Sequence, residues 1–207
     1  MKFEELVALI GDEPVFTSGL LHASAGSAAG LRVQLGRWVE AGKVVQLRRG
    51  VYTLAPPFRR VEPHPFLVAN RLRPASYVSL QSALAYHGMI PEGVPTVTSV
   101  TAGRPATFET PIGTFLFRHV TRAMFRDFRP LAVATGQTAF VATPEKALLD
   151  LVHLTPRGDR SDFLAELRLQ NLDELDGTEL EDLARRLAAP KLQRAARRIV
   201  REIAEAA

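Results

Sequence analysis

The chain has 207 residues, enough for one large domain or two small ones, and 46% of them are hydrophobic, as in a protein that buries a core. Having no cysteine, it holds no disulfide, no thiolate nucleophile and no metal site that needs sulfur. A net charge of +4 is compatible with an anionic partner but too sparse to demonstrate one, so the placement of the charges says more than their sum.

Residues 2–10 predict a first helix, with Phe3, Leu6, Val7 and Ile10 on one face and Gly11 as its stop. The leading MKFEELVALIGDEP is acidic and amphipathic, without the basic start and apolar middle of a secretory signal. No apolar run is long enough to span a bilayer, so no membrane partner is expected and the cytoplasm is the expected compartment. Val15-Phe16 reads as a short extended link, and Thr17 or Ser18 caps a short second helix over 19–22. Residues 23–26 form the turn before a third helix.

That third helix organises the N-terminal part. Leu31, Leu35, Trp38 and Val39 recur at i, i+4, i+7 and i+8, one apolar face at helical period. Ser27 suits the N-cap, since its hydroxyl can accept from a free amide of the first turn, and Gly42 suits the C-terminal stop. The opposite face carries Ala29, Arg32, Val33, Gly36 and Arg37, small and cationic. Gly36 costs about 1 kcal/mol against alanine in an exposed helix interior. Close approach of another body to the backbone is one reason to keep it, and a phosphate-lined major groove is such a body.

Two strand-forming runs follow, Val44 to Leu47 and Val51 to Leu54, joined by Arg48-Arg49-Gly50 with glycine in the left-handed position. Two arginines at a hairpin tip have little reason to pack inward and suit a minor groove or a phosphate pair. Helix, short helix, helix and basic hairpin within residues 2–54 is the order of a winged helix-turn-helix, assigned to 1–55. The candidate DNA-binding residues are Ser27, Ala29, Arg32, Val33, Arg37, Arg48 and Arg49. A solvated helix face and a soluble hairpin tip would also explain the arginines. Agreement between element order and charge placement favours DNA.

Residues 55–65, APPFRRVEPHP, hold four prolines, which exclude helix and disrupt sheet pairing. A semi-rigid linker over 56–65 is therefore expected to space two domains, with Arg59 and Arg60 solvated or touching phosphate. Beyond it, 66–207 reads as a mixed α/β domain with a helical C-terminal end, so the fold class of the whole is α+β. Its expected elements are a helix over 65–72, a strand at Tyr77-Val78, and a helix capped by Ser79 with Leu80, Ala83, Leu84 and His87 on one face. Strands follow at 97–101, 106–110, 114–120 and 138–142, with 125–134 ambiguous but extended at its end. Thr143-Pro144-Glu145 is a strong helix start, running to about 154; after a turn at 156–159, helices are expected over 161–169, 177–188 and 190–206.

Three constellations invite chemistry. His87 shares its face with Leu80 and Leu84, and nothing nearby supplies a nucleophile or second ligand, so a partly buried structural histidine is favoured. TPEKALLD, residues 143–150, combines two carboxylates and a lysine. Glu145 suits the positive helix start, and Lys146 with Asp150 forms an i, i+4 pair, so helix stabilisation accounts for all three. A metal-dependent nuclease or phosphoryl-transfer enzyme would need Asp127, Glu145 and Asp150; no catalytic residue, cofactor or metal site is assigned. The last helix sets Lys191, Arg194, Arg197, Arg198 and Arg201 opposite Leu192, Ala195, Ile199 and Ile203. This is a docked amphipathic helix with a wet face or a second anionic contact.

VFTSGLL, the third helix and LRRGVYTL, followed by YVSLQSALAYHGMI, VTSVTAGRP, GTFLFRHV and ATPEKALLDLV, stand in an order that resembles the AbiEi-type antitoxins of type IV toxin–antitoxin systems. The resemblance covers nearly the whole chain and is weakest after about residue 156. It implies an autoregulator whose winged helix binds repeats in its own promoter DNA, and whose second domain neutralises a nucleotidyltransferase-like toxin encoded beside it. It also implies DNA contacts on the third helix around Ala29, Arg32, Val33 and Arg37 and on the hairpin at Arg48 and Arg49. For neutralisation it implies only a region, 66–207. Gly30 and Gly36 depart from the expected helix and bear on which way its outer face is turned. A plain ligand-responsive regulator is the remaining reading.

Overall fold

The structure is a computed structural model that describes residues 1–21 and 28–206. The turn expected at 23–26, His22 and the Ser27 cap fall outside the described residues.

Helix α1 (Phe3–Ile10) buries Phe3, Leu6 and Ile10 and ends at Gly11, whose φ of +58° only glycine adopts cheaply. Strand β1 (Phe16–Thr17), helix α2 (Ser18–Leu21), helix α3 (Ala28–Glu40), and strands β2 (Val44–Arg48) and β3 (Val51–Leu54) follow. Their sheet has the order β1-β3-β2, all antiparallel. Gly50 turns the hairpin at φ +83°. The connection is tighter than the expected three-residue loop. Arg48 pairs with Val51 inside the ladder, and the register slips between Gln46 and Arg48, so the extra residue is accommodated by a bulge at Leu47.

Helix α4 (Pro65–Leu72) opens the second lobe. His64 caps it by accepting from the Phe66 amide through Nδ1 at 3.2 Å. Strand β4 (Ser76–Val78), helix α5 (Leu80–Tyr86), and strands β5 (Thr96–Thr101), β6 (Ala106–Thr110), β7 (Gly113–His119), β8 (Phe128–Ala134) and β9 (Gln137–Ala142) build a mixed sheet of order β6-β7-β5-β4-β9-β8. The ambiguous 125–134 segment resolves into an edge strand, preceded by a short 3₁₀ turn at 122–124. An edge explains why Pro130 is tolerated there. Asn70 of α4 bridges the sheet where β4 runs short: its Oδ1 accepts from the Phe140 amide at 2.6 Å and its Nδ2 donates to the Ser76 carbonyl at 3.4 Å.

Helix α6 (Pro144–Leu154) begins as its sequence requires, with the Thr143 hydroxyl accepting from the Lys146 amide and proline at the first helical position. It is buried continuously from Glu145 to Val152, packed by α5, helix α8 (Gly177–Arg186) and helix α9 (Pro190–Ala206). Helix α7 (Ser161–Glu166) stops short of the expected 169 because the chain turns left-handed at Arg168 and again at Asn171. The chain is thus a mixed α+β protein with a mixed sheet and a helical C-terminal end. No helix among the described residues is long and apolar enough to cross a membrane.

One expectation is overturned. The proline-rich stretch has no regular structure, but it does not hold two lobes apart. Among the described residues, two apolar cores meet along the N-terminal sheet. Tyr52, Leu54 and Val44 belong to the core under α1 and α3, whereas Val15, Val45, Leu47 and Val51 belong to the core of the second lobe. Side chains alternate along a strand, so the sheet presents one face to each lobe and is a shared wall. Thr53 is completely buried in it, and β2 lies beside β6. Linker residues are tied down as well. Gln137 donates to the Glu62 carbonyl and accepts from the His64 amide, both at 2.8 Å, and Phe58 packs edge-on against Phe3. Neither linker arginine is free, since Arg59 pairs with Glu62 and Arg60 with Asp12.

Candidate functional site

Helix α3 buries Leu31, Leu35 and Trp38, as its periodicity requires, with Trp38 edge-on to Phe3 at 5.6 Å between ring centroids. That fixes the roll of the helix. Ala29, Arg32, Val33, Gly36 and Arg37 are all exposed, Val33 to 57% of its surface. An aliphatic side chain so open has no packing role in the free chain.

Between α3 and the hairpin lies a groove of about 600 Å³, whose lining includes Ser18, Arg32, Gly36, Gln46, Arg49 and Gly50. A Cβ built on Gly36 meets nothing within 4 Å, so the glycine is not required by packing inside the chain. Arg32 and Gly36 stand one turn apart on the wall of the groove. Ala29, Val33 and Arg37 form a second exposed strip that does not line it. Arg32, Arg37 and Arg49 form no ion pair among the described residues.

The two hairpin arginines part company. Arg49 is exposed on the groove. Arg48 is half-buried, and its cross-strand partner Val51 belongs to the second lobe's core. Directly opposed residues share a face, so Arg48 points at the second lobe and its Nε is buried without a hydrogen-bond partner. The expectation that both tip arginines face outward is thereby corrected; the bulge at Leu47 is the cause. Gln46 and Ser18 line the groove without having been singled out. Gln46 was legible as the polar residue in an otherwise apolar strand, VVQL, while Ser18 reaches the groove only through the β1–β3 pairing.

In the second lobe, Lys146 and Asp150 form the expected i, i+4 pair, and both side chains are wholly buried. Lys146 Nζ donates to Asp150 Oδ1 and, at 2.9 Å, to the Tyr77 hydroxyl. Tyr77 in turn donates to Asp150 Oδ2 at 2.9 Å, and Ser79 donates to the same oxygen at 2.8 Å. The Ser79 hydroxyl therefore serves the carboxylate and makes no cap bond to α5. Burial, reinforced by the Asp150 charge, pushes the Tyr77 phenol far above its ordinary value. This knot ties β4 to α6, and both charges have zero side-chain exposure, which leaves no room for a substrate.

The carboxylates of the enzyme alternative do not converge. Glu145 accepts from the Asp176 amide at 3.2 Å, Asp127 pairs with Arg126 and Arg186, and Asp150 is held in the knot. No group of three or more His, Asp or Glu able to hold a metal occurs among the described residues. His87 is half-buried with Nε2 2.9 Å from the Ala142 carbonyl, the structural role its face suggested. On α9, Lys191 donates to the His153 and Thr155 carbonyls at the end of α6, and Arg194 binds Asp159 at 2.7 Å. Arg197, Arg198 and Arg201 remain exposed.

No family model matches the chain, and no curated protein matches it. Its fold is similar to the crystal structure of the RV2827C protein from Mycobacterium tuberculosis, with a TM-score of 0.53 at 15% identity, over 93% of this chain and 76% of that one. At that identity the likeness extends to the fold alone.

Proposed function

We propose that the N-terminal lobe is a winged helix that binds duplex DNA, and that the chain is a non-catalytic transcriptional regulator of the AbiEi antitoxin type. In this reading it represses its own promoter, and its second lobe neutralises a nucleotidyltransferase-like toxin encoded alongside. The observation that carries the DNA reading is the groove between α3 and the hairpin. Arg32 and Arg49, without an ion-pair partner among the described residues, stand on its walls, Gly36 is open beneath them, and Arg37 and Val33 lie on the adjoining exposed strip. Cations without an ion-pair partner among the described residues, beside an exposed small-residue helix face, suit a polyanion of duplex dimensions. The antitoxin part rests on the sequence resemblance, from VFTSGLL to TPEKALLDLV. The closed Lys146–Asp150 knot supports a structural role for the residues that most resemble catalytic ones.

A gel-shift titration with the DNA upstream of the chain's own reading frame tests the regulator. The wild type should retard it, and the double variant R32A/R37A should lose that retardation while keeping its far-UV circular dichroism and its rescue of cells expressing the neighbouring gene. Unchanged DNA affinity in the double variant would defeat the assignment.

A further inference from the structure

The exposed surface of α3 is divided, and the division assigns different tasks to residues that the sequence groups together. Arg32 and Gly36 face the groove, across which stand Arg49, Gln46 and Ser18. Ala29, Val33 and Arg37 lie outside it, on the crest of the helix. A helix lowered into a major groove leads with its crest, and the strand bordering that groove then runs past its flank. We infer that the cleft between α3 and the hairpin takes one sugar–phosphate strand, clamped by Arg32 and Arg49, with Gly36 the point of closest approach, while Arg37 and Val33 on the crest meet base edges. The inference rests on the DNA-binding reading and adds which residues hold the backbone and which discriminate sequence.

Three observations carry it. Arg32 and Arg49 come from separate elements onto one cleft, and neither has a carboxylate partner among the described residues. The ordinary helix cost of a glycine is unexplained within the chain, because a Cβ on Gly36 would stand in open space. Val33 is the most exposed of the chain's large apolar residues, and an aliphatic group on the crest can meet a thymine methyl but gains nothing from a phosphate. Ser18 and Gln46 add neutral donors suited to phosphate oxygens.

Salt dependence separates backbone clamps from base readers. Affinity for a random-sequence duplex, and for a duplex selected by the wild type from a random library, is measured across a range of salt concentrations. Each phosphate contact contributes about 0.9 to the slope of log K against log salt. Arg32→Ala and Arg49→Ala should each lower that slope by about one and weaken both duplexes alike. Arg37→Ala should instead narrow the ratio between selected and random DNA. Gly36→Leu should weaken both duplexes while unfolding at the wild-type denaturant concentration or above, since leucine is the better helix former and its Cβ would meet nothing within 4 Å. The inference is overturned if Arg32→Ala or Arg49→Ala leaves the slope and changes the ratio, or if Gly36→Leu binds as the wild type does. A wild type without salt-dependent affinity for either duplex would remove the regulator reading itself, a distinct result.

Discussion

Cutting the buried knot of the second lobe should destabilise the chain far more than any surface ion pair could. Lys146 and Asp150 are both at zero side-chain exposure, joined to each other and to Tyr77, with Ser79 completing the carboxylate's bonds. In Asp150→Ala the ammonium loses its counter-charge and the two hydroxyls lose their acceptor, in a place water does not reach. Removing one partner of a buried pair costs about 3–5 kcal/mol, against about 0–1 kcal/mol for an exposed pair. Tyr77→Phe removes one hydroxyl bonded to both charges and should cost about 1.5–3 kcal/mol, the range for hydrogen bonds to ionised groups. Taking all four polar groups away together, as Lys146→Met, Asp150→Leu, Tyr77→Phe and Ser79→Ala, should recover most of the loss, because burial of two charges is itself unfavourable. Urea unfolding followed by circular dichroism gives each free energy, and comparison of single, double and quadruple variants gives the coupling. Asp150→Ala costing under about 1 kcal/mol, or costing the same in the Lys146→Met background, would refute the reasoning.

Further expectations follow from the shared wall, the histidines and the hairpin turn. Trp38, the single tryptophan, sits in the N-terminal core, so its fluorescence reports that lobe, whereas circular dichroism reports the whole. In the wild type the two signals should fall together on heating; Leu47→Asp, placing a charge between the lobes, should separate them, and coincident transitions in that variant would count against the wall. His64 and His153 are both held below the ordinary imidazole value by burial, so each is lower in the folded chain than in the unfolded one. The unfolded chain then binds more protons below about pH 6.5, and the stability these groups contribute is complete above that and drains away as pH falls towards their folded values. A urea midpoint that drops between pH 7.5 and 5.5, and drops less in His64→Asn, which can still cap α4, is the expected result. Gly50→Ala should cost about 1 kcal/mol, since Gly50 sits at φ +83° and the added Cβ would meet Ser18 Oγ only at an ordinary 3.5 Å; an unchanged urea midpoint would contradict it.

Local signals were legible wherever one element decides its own fate. The α3 face of Leu31, Leu35 and Trp38, the Thr143-Pro144 start of α6 and the stops at Gly11 and Gly42 all act over one or two turns of chain, and each stands where periodicity and capping put it. Illegible were the features that depend on partners distant in the chain. Lys146 and Asp150 have i, i+4 spacing whether exposed or buried; only the arrival of Tyr77 and Ser79, about seventy residues earlier in the chain, makes them a core network. Arg48 and Arg49 are adjacent and identical in type, and a single bulge at Leu47 sends one to the second lobe and the other to the groove. The candidate groove was half legible: α3 supplied Arg32 and Gly36 by period, but the opposing wall required the hairpin's placement.

The wall between the lobes did leave a trace that alternation could have exposed. A hairpin with one face in water alternates apolar and polar residues, yet Val51 to Leu54 is buried at every position, and Val44, Val45 and Leu47 put apolar groups on both faces of β2. Continuous burial is the mark of a strand covered on two sides. With apolar contacts on both faces and Gln137 holding the linker, the direction of the α3 groove is set relative to the second lobe by packing and not by a tether. Under the proposed function, a partner gripping the second lobe would alter DNA binding by favouring a different packing of Val15, Val45, Leu47 and Val51, or by occupying the groove's surroundings. Mere capture of the chain, with equal affinity for every arrangement of the wall, shifts nothing.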